Sequence, residues 1–295
     1  MFSISLAFVE KYTLPVIYSQ RLFSGVVRSG CGTFIVVNRE GWILTAGHIL
    51  ADLQLICHHQ KELADFEHQK ATILNDQSLT GKHKNKQIGR LQRNPDWIRN
   101  QAIFWGGLPS QLTDGRIDLL SDIGMGKLDP FDPSWVQGYP VFKDPTQPMP
   151  IGTSLCRLGY PLHQINATFD DQTGQFSLAP GVLPVPRFPN DGIYTRDVVV
   201  GSPDGKRQTR FIETSTPGLR GQSGGPVFDR NAHVWAVQSK TNSIPLGFSP
   251  SVKVNGREVV EHQFIHVGWG THVAEVVRMM KDGGVAFDLS TGPGV

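Results

Sequence analysis

The chain has 295 residues, 39% hydrophobic and 18% charged, a balance that supports a buried core and excludes a disordered chain. A net charge of +2 gives no general attraction to nucleic acid or anionic lipid, and no apolar run approaches the ~18 residues needed to cross a bilayer. Neither nucleic acid nor membrane is an expected partner. The 32 glycines and 20 prolines punctuate short runs rich in Val, Ile and Phe, the pattern of many strands joined by turns, so the expected class is all-β.

The first 20 residues contain an apolar stretch broken by Glu10 and Lys11, with no basic segment before it. This reads as a first strand, not a signal peptide, and the default location is cytoplasmic. Cys31, Cys57 and Cys156 are too few and too scattered for a disulfide framework, so reduced thiols are expected. Strands are expected at 34–37 and 42–44. The second runs into Thr45-Ala46-Gly47-His48, where small residues let the backbone approach a neighbour closely just before a histidine.

Residues 58–117 read as an insertion, with a basic loop at Lys82, His83, Lys84, Lys86, Arg90 and Arg93 that is expected to be solvated surface. Cys57, His58, His59 and His68 match no standard zinc spacing, and neither a metal nor another cofactor is expected. Asp118 and Asp122 follow. Asp122 heads an alternating run to Leu128, whereas Asp118 suits a turn or cap; Gly124 and Gly126 are expected to loosen that strand.

Pro130, Pro133, Pro140, Pro145, Pro148 and Pro150 mark a linker. The expected organisation is an amino-terminal half over 1–135, a linker over 136–150, a second half over 151–282 and a tail over 283–295. Strands are expected at 154–158, 194–200, 210–213 and 234–238. The Pro-, Gly- and Asp-rich stretch 163–205 suits long loops overhanging a cleft. Asn166-Ala167-Thr168 fits a glycosylation acceptor, a triplet that arises often by chance. Val273, Val276, Val277 and Met280 form one helical stripe after a Thr271 cap, ended by Gly283 and Gly284.

The strongest chemical signal is Gly221-Gln222-Ser223-Gly224-Gly225-Pro226. A serine needs a base to take its proton, and its attack on a carbonyl creates an oxyanion that needs fixed donors. Glycine at 221 lets the N–H groups of Gly221 and Ser223 point into one space. The hairpin expected over 227–237 would return beside this loop and support it. His48 is the best-placed base, and Asp122, ahead of Asp118, the carboxylate that fixes its tautomer.

The order His48, Asp122, Ser223 and the blocks Leu44-Thr45-Ala46-Gly47-His48, Asp122-Ile123-Gly124 and Gly221 to Pro226 resemble the chymotrypsin-like serine peptidases. Residues 152–161 and 212–214 are similar to blocks of bacterial trypsin-like and high-temperature-requirement peptidases. The resemblance implies two six-stranded antiparallel β-barrels, an active site in the cleft between them and a short C-terminal helix. It implies a serine endopeptidase acting on a protein or peptide substrate through an acyl-enzyme.

By the same resemblance, the pocket for the side chain before the scissile bond is expected from Pro217, Gly218, Leu219, Val237, Gln238 and Lys240. No acid falls at its floor near Pro217, which speaks against a trypsin-like preference. Gln222 replaces the acid that pairs with a newly cut amino terminus in digestive members, so no such activation is expected. The expectation is a regulated bacterial protease with an activating protein partner; the alternative is a degenerate domain that serves as a binding or scaffold module.

Overall fold

The computed structural model describes residues 1–290 of the chain. After a short helix α1 (Ser3–Val9), the first half builds one sheet from β1 (Thr13–Leu22), β2 (Val27–Val36) and β3 (Trp42–Ala46). Two helices, α2 (Gly47–Asn75) and α3 (Gly81–Ile88), precede β4 (Ile98–Trp105), β5 (Gln111–Asp118) and β6 (Ile123–Asp129). The six strands are ordered β4-β1-β2-β3-β6-β5 and curl around Val16, Phe34, Ile43, Leu50, Trp105 and Leu128, all nearly solvent-free.

The second half contains β7 (Val141–Phe142), β8 (Ser154–Gly159), β9 (Ala167–Asp170), β10 (Gln175–Leu178), β11 (Phe188–Gly201) and β12 (Gln208–Thr214). It continues with β13 (Pro226–Phe228), β14 (His233–Pro245), β15 (Ser251–Val254), β16 (Arg257–Val260) and β17 (Phe264–His272), then α4 (Val273–Asp282) and β18 (Asp288–Leu289). Strands β13-β8-β11-β12-β17-β14 run in sequence around a ring that the β13–β14 pairing closes, with the short β7 and β18 added beside β14. A closed ring leaves no free edge of its own. The architecture is the expected two-barrel β fold, the first barrel curled and the second closed.

A core shared by the halves joins Val9, Tyr12, Leu44 and Met125 to Phe142, Leu158, Phe228, Val237, Val276 and Met280. Burial of apolar surface across the seam is therefore what presses the two sheets together. Among the described residues no helix is long and apolar enough to cross a membrane.

Several local expectations need correction. The first residues form α1 before β1, not one continuous strand. The stretch beginning at residue 58, expected as an insertion loop, is largely helical up to Ile88 and then supplies β4 and most of β5. Helix α2 escapes a periodicity search because it buries only Ile49, Leu50, Leu53 and Phe66 beyond its first residue. Phe66 is held at its far end by edge-on contacts with Phe23 and Trp97. Cys57, His58, His59 and His68 lie on this helix.

The stretch 163–205 carries β9, β10 and the long β11. Helix α4 forms as expected, but its cap is His272, whose side chain accepts from the Ala274 N–H at 2.9 Å; Thr271 instead donates to the Ser121 carbonyl. Within the tail, β18 pairs with β7, and residues 291–295 lie outside the described residues.

Candidate active site

Strand register places the histidine. β3 pairs with β6 so that Ala46 faces Ile123, which sets the first residues of α2 against the turn that enters β6. That turn is shaped by Asp118, whose carboxylate accepts from the N–H groups of Leu120 (3.1 Å) and Ser121 (3.4 Å). Asp122 then adopts a left-handed backbone with φ of 50°, a conformation that Asp tolerates better than most residues.

The result is a carboxylate fixed from three sides. Asp122 Oδ1 accepts from the His48 backbone N–H at 2.9 Å, and both its oxygens stand 3.0 Å from His48 Nδ1. Ser239 Oγ donates to Oδ2. Burial pushes the Asp122 carboxyl up, but the bonds from His48 and Ser239 outweigh it and hold the pKa below the usual value. The bond from Asp122 raises the His48 imidazole, with burial opposing it in part.

Gly124 and Gly126 make room on β6. A side chain at 124 would collide with Leu50 of α2, and one at 126 with Leu112 of β5. The glycines that looked like a weakness in the strand are the places where neighbouring leucines settle onto it.

Asp118 does not approach His48. Its Oδ2 binds Arg278 at 2.9 Å and also Arg207, joining β5 to α4 and to the turn before β12.

The serine loop crosses the seam. Gly221 has φ of 101° and Gly224 φ of 86°, values that favour glycine, and a side chain at either would meet backbone: Tyr160 O for Gly221, Thr33 O for Gly224. Thr33 of β2 clasps the loop by donating from its N–H to Ser223 O at 2.9 Å and from its hydroxyl to Gly221 O at 2.7 Å. Gln222 is fully buried; its Oε1 accepts from Leu219 N–H at 2.9 Å and its Nε2 donates to Phe188 O at 3.1 Å. A neutral amide thus locks the loop from within.

The N–H groups of Gly221 and Ser223 have no acceptor among the described residues, whereas those of Gln222, Gly224 and Gly225 are bonded to the backbone. Ser223 Oγ donates to the Ser239 carbonyl at 3.2 Å.

Beside Ser223 lies a cavity of about 360 Å³ lined by His48, Gly218, Leu219, Arg220, Gln238, Ser239, Lys240 and Thr241. Of the residues expected there, Pro217 is not part of the lining, and Val237 is fully buried in the shared core. The cavity side of β14 begins at Gln238, where the pairing with β17 shifts register between Gln238 and Lys240. Lys240 Nζ lies 5.0 Å from the centre of the Phe211 ring and 5.3 Å from that of Trp269.

A second cavity of about 520 Å³ on the far side of Gly221 is lined partly by Cys31, Tyr160, His163 and Arg220. Cys31, Cys57 and Cys156 are all unpaired, and burial pushes the Cys31 thiol up to about 12.

Sequence reasoning missed Ser239, the third donor to Asp122, because a lone serine in the run Val234 to Lys240 carries no motif. Its signal is positional: it follows the buried Gln238 on a strand expected to flank the serine loop.

Residues 31–237 match the family profile of the trypsin-like peptidase domain. The chain belongs to the trypsin-like peptidase family. Similar solved structures include the Rv3671c protease from M. tuberculosis in its active form, with a TM-score of 0.50 and 13% identity over 98% of this chain and 88% of that one. Another is the HtrA-type protease AlgW with a tripeptide, with a TM-score of 0.50 and 12% identity over 96% of this chain and 63% of that one. No curated protein matches the sequence. Membership and fold together make this chain a peptidase-type domain of the serine class.

Proposed function

We propose that the chain is a serine endopeptidase in which Ser223 attacks the scissile carbonyl, His48 takes and returns the proton, and Asp122 orients and stabilises the imidazolium. The reading is carried by one observation: His48 Nδ1 is 3.0 Å from both Asp122 oxygens, on the same cavity that Ser223 lines. The free N–H groups of Gly221 and Ser223 then receive the oxyanion. The proton on Nδ1 leaves Nε2 as the acceptor for the Ser223 hydroxyl; after acyl transfer the same nitrogen protonates the leaving amine, and water repeats the cycle.

The internal bonds of Gln222 support a serine loop that needs no cleaved amino terminus to hold it. The three unpaired cysteines support a reducing compartment, and we place the enzyme in the cytoplasm as a regulated protease that responds to a protein partner. Reaction with a fluorophosphonate probe tests the catalytic reading. Wild-type protein becomes labelled on Ser223, and Ser223→Ala and His48→Ala do not; a wild-type chain that stays unlabelled with and without cell extract refutes it.

A further inference from the structure

Arg157 stands alone in an apolar run, Ser154-Leu155-Cys156-Arg157-Leu158-Gly159 of β8, and is 2% exposed. Its Nη1 donates to Thr216 Oγ1 at 3.0 Å and to the Pro217 carbonyl at 3.1 Å, and Nη2 donates to Thr214 Oγ1. Its Nε has no partner among the described residues. Every acceptor it has is neutral. Burial lowers its pKa to about 10, so it stays cationic at neutral pH. Buried charges are ordinarily paired, and none of the ion pairs among the described residues includes this one.

The one acid whose charge reaches it is Asp191 of β11, which pairs in register with the adjacent Cys156 but is exposed and makes no ion pair with the guanidinium. Glu213 of β12 instead binds Arg196 at 2.9 Å and Trp269 Nε1 at 3.1 Å.

The position of the guanidinium relates it to the cavity beside Ser223. Thr216 and Pro217, which it grips, lead directly into Gly218, Leu219 and Arg220, one wall of the cavity beside Ser223. Gly268 of β17 also abuts it, and a side chain there would collide with Nη2. Gly218 abuts the amide of Gln238, the opposite wall. Thr216 and Pro217 therefore tie a desolvated cation to the chain segment that continues into the cavity wall at Gly218. Arg220 and Lys240 add two cations at its lining, which contains no carboxylate.

We propose that Arg157 is the specificity determinant of this cavity and that the cavity accepts an acidic side chain, glutamate or aspartate, on the residue before the scissile bond. The inference rests on the catalytic reading above. An incoming carboxylate supplies a counter-charge inside the cavity that no ion pair among the described residues gives Arg157, and the surrounding low dielectric strengthens the attraction relative to water. A glutamine of the same shape brings no charge. Its NH₂ would instead suit Gln238 Oε1, which has no partner among the described residues, so glutamine is the sharpest rival.

Peptide amides that differ only in this residue, Glu, Asp, Gln, Leu or Arg, test the proposal through kcat/KM. We expect Glu to exceed Gln by about tenfold to a hundredfold, the scale of one poorly screened charge pair. Arg157→Met brings the Glu to Gln ratio close to one, and Arg157→Lys, which keeps the charge, restores part of it; a merely structural arginine would leave the ratio unmoved. If Arg157→Met fails to fold by thermal melt, the wild-type series and Arg157→Lys decide.

Fluorophosphonate labelling of Ser223 separates the two readings. Labelled protein that cleaves after Gln, Leu or Arg as well as after Glu overturns the acidic pocket and leaves the endopeptidase standing. If the wild type is unlabelled, calorimetric binding of tetrapeptides ending in Glu or Gln to Ser223→Ala decides: equal affinity overturns the proposal, and at least roughly tenfold tighter binding of Glu supports it.

Discussion

Replacing Asp122 with Asn preserves shape and removes the charge, and the geometry says how the amide will sit. The His48 backbone N–H points at Oδ1 from 2.9 Å, so an amide NH₂ placed there would set donor against donor. The oxygen must stay at that position, and the NH₂ then occupies the Oδ2 site between Ser239 Oγ and His48 Nδ1, 3.0 Å from the latter. There it donates to Nδ1, which favours the tautomer with its proton on Nε2, the nitrogen that has to accept from Ser223. The variant also loses the carboxylate that stabilises the imidazolium. At the observed 3.0 Å, Coulomb's law with an effective dielectric constant of about 20 gives about 5.5 kcal/mol, or about 10⁴-fold in rate. The second-order rate of fluorophosphonate labelling at pH 8 measures this without knowledge of the substrate. A loss of less than about tenfold would refute both the tautomer argument and the assignment of the carboxylate.

Two further expectations come from the same groups. His48 must be neutral to accept a proton, and the Asp122 bond raises its pKa, so activity is absent at low pH and rises as pH climbs through a midpoint above the ordinary imidazole value of about 6.5. In Asp122→Asn any residual activity should show that midpoint shifted to lower pH; an unchanged acid limb would detach it from the His48–Asp122 pair. Asp118→Asn weakens the clasp to Arg207 and Arg278, both partly solvated, which we expect to cost about 1–2 kcal/mol and to lower Tm by roughly 2–8 °C. Its labelling rate should fall far less than that of Asp122→Asn, and a loss of comparable size would mean that Asp118 shares the charge-stabilising role.

The parts of the site that were legible in the sequence are those where backbone shape forces residue identity. The positive φ values at Gly221 and Gly224, and the backbone packed against them, leave little freedom, so the serine loop carries its own signature. The strand that runs into His48 is legible for a similar reason, since β3 is buried along nearly its whole length. What was illegible depends on contacts distant in sequence. Arg157 is a single charged residue in an apolar run and Ser239 one of several polar residues in β14, and their partners lie 57 residues away in Thr214 and 117 residues away in Asp122. Helix α2 was missed because most of its faces meet solvent, and packing against β4 and the Phe23–Trp97 pair holds it where pattern does not. Gly124 and Gly126 misled in the opposite direction: strand propensity counts them as losses, while packing uses them as seats for Leu50 and Leu112.

The seam between the sheets has a consequence for control. His48 and Asp122 belong to the first half and Ser223 to the second, and the hydrogen bonds that align them, Thr33 to the serine loop, Thr271 to Ser121 and Ser239 to Asp122, all cross it. No disulfide spans it. On the proposed catalytic reading this is a two-key lock, and a slip between the halves that broke these bonds would withdraw one key. On that reading, a ligand bearing on both halves would tune the alignment of the parts and not their presence.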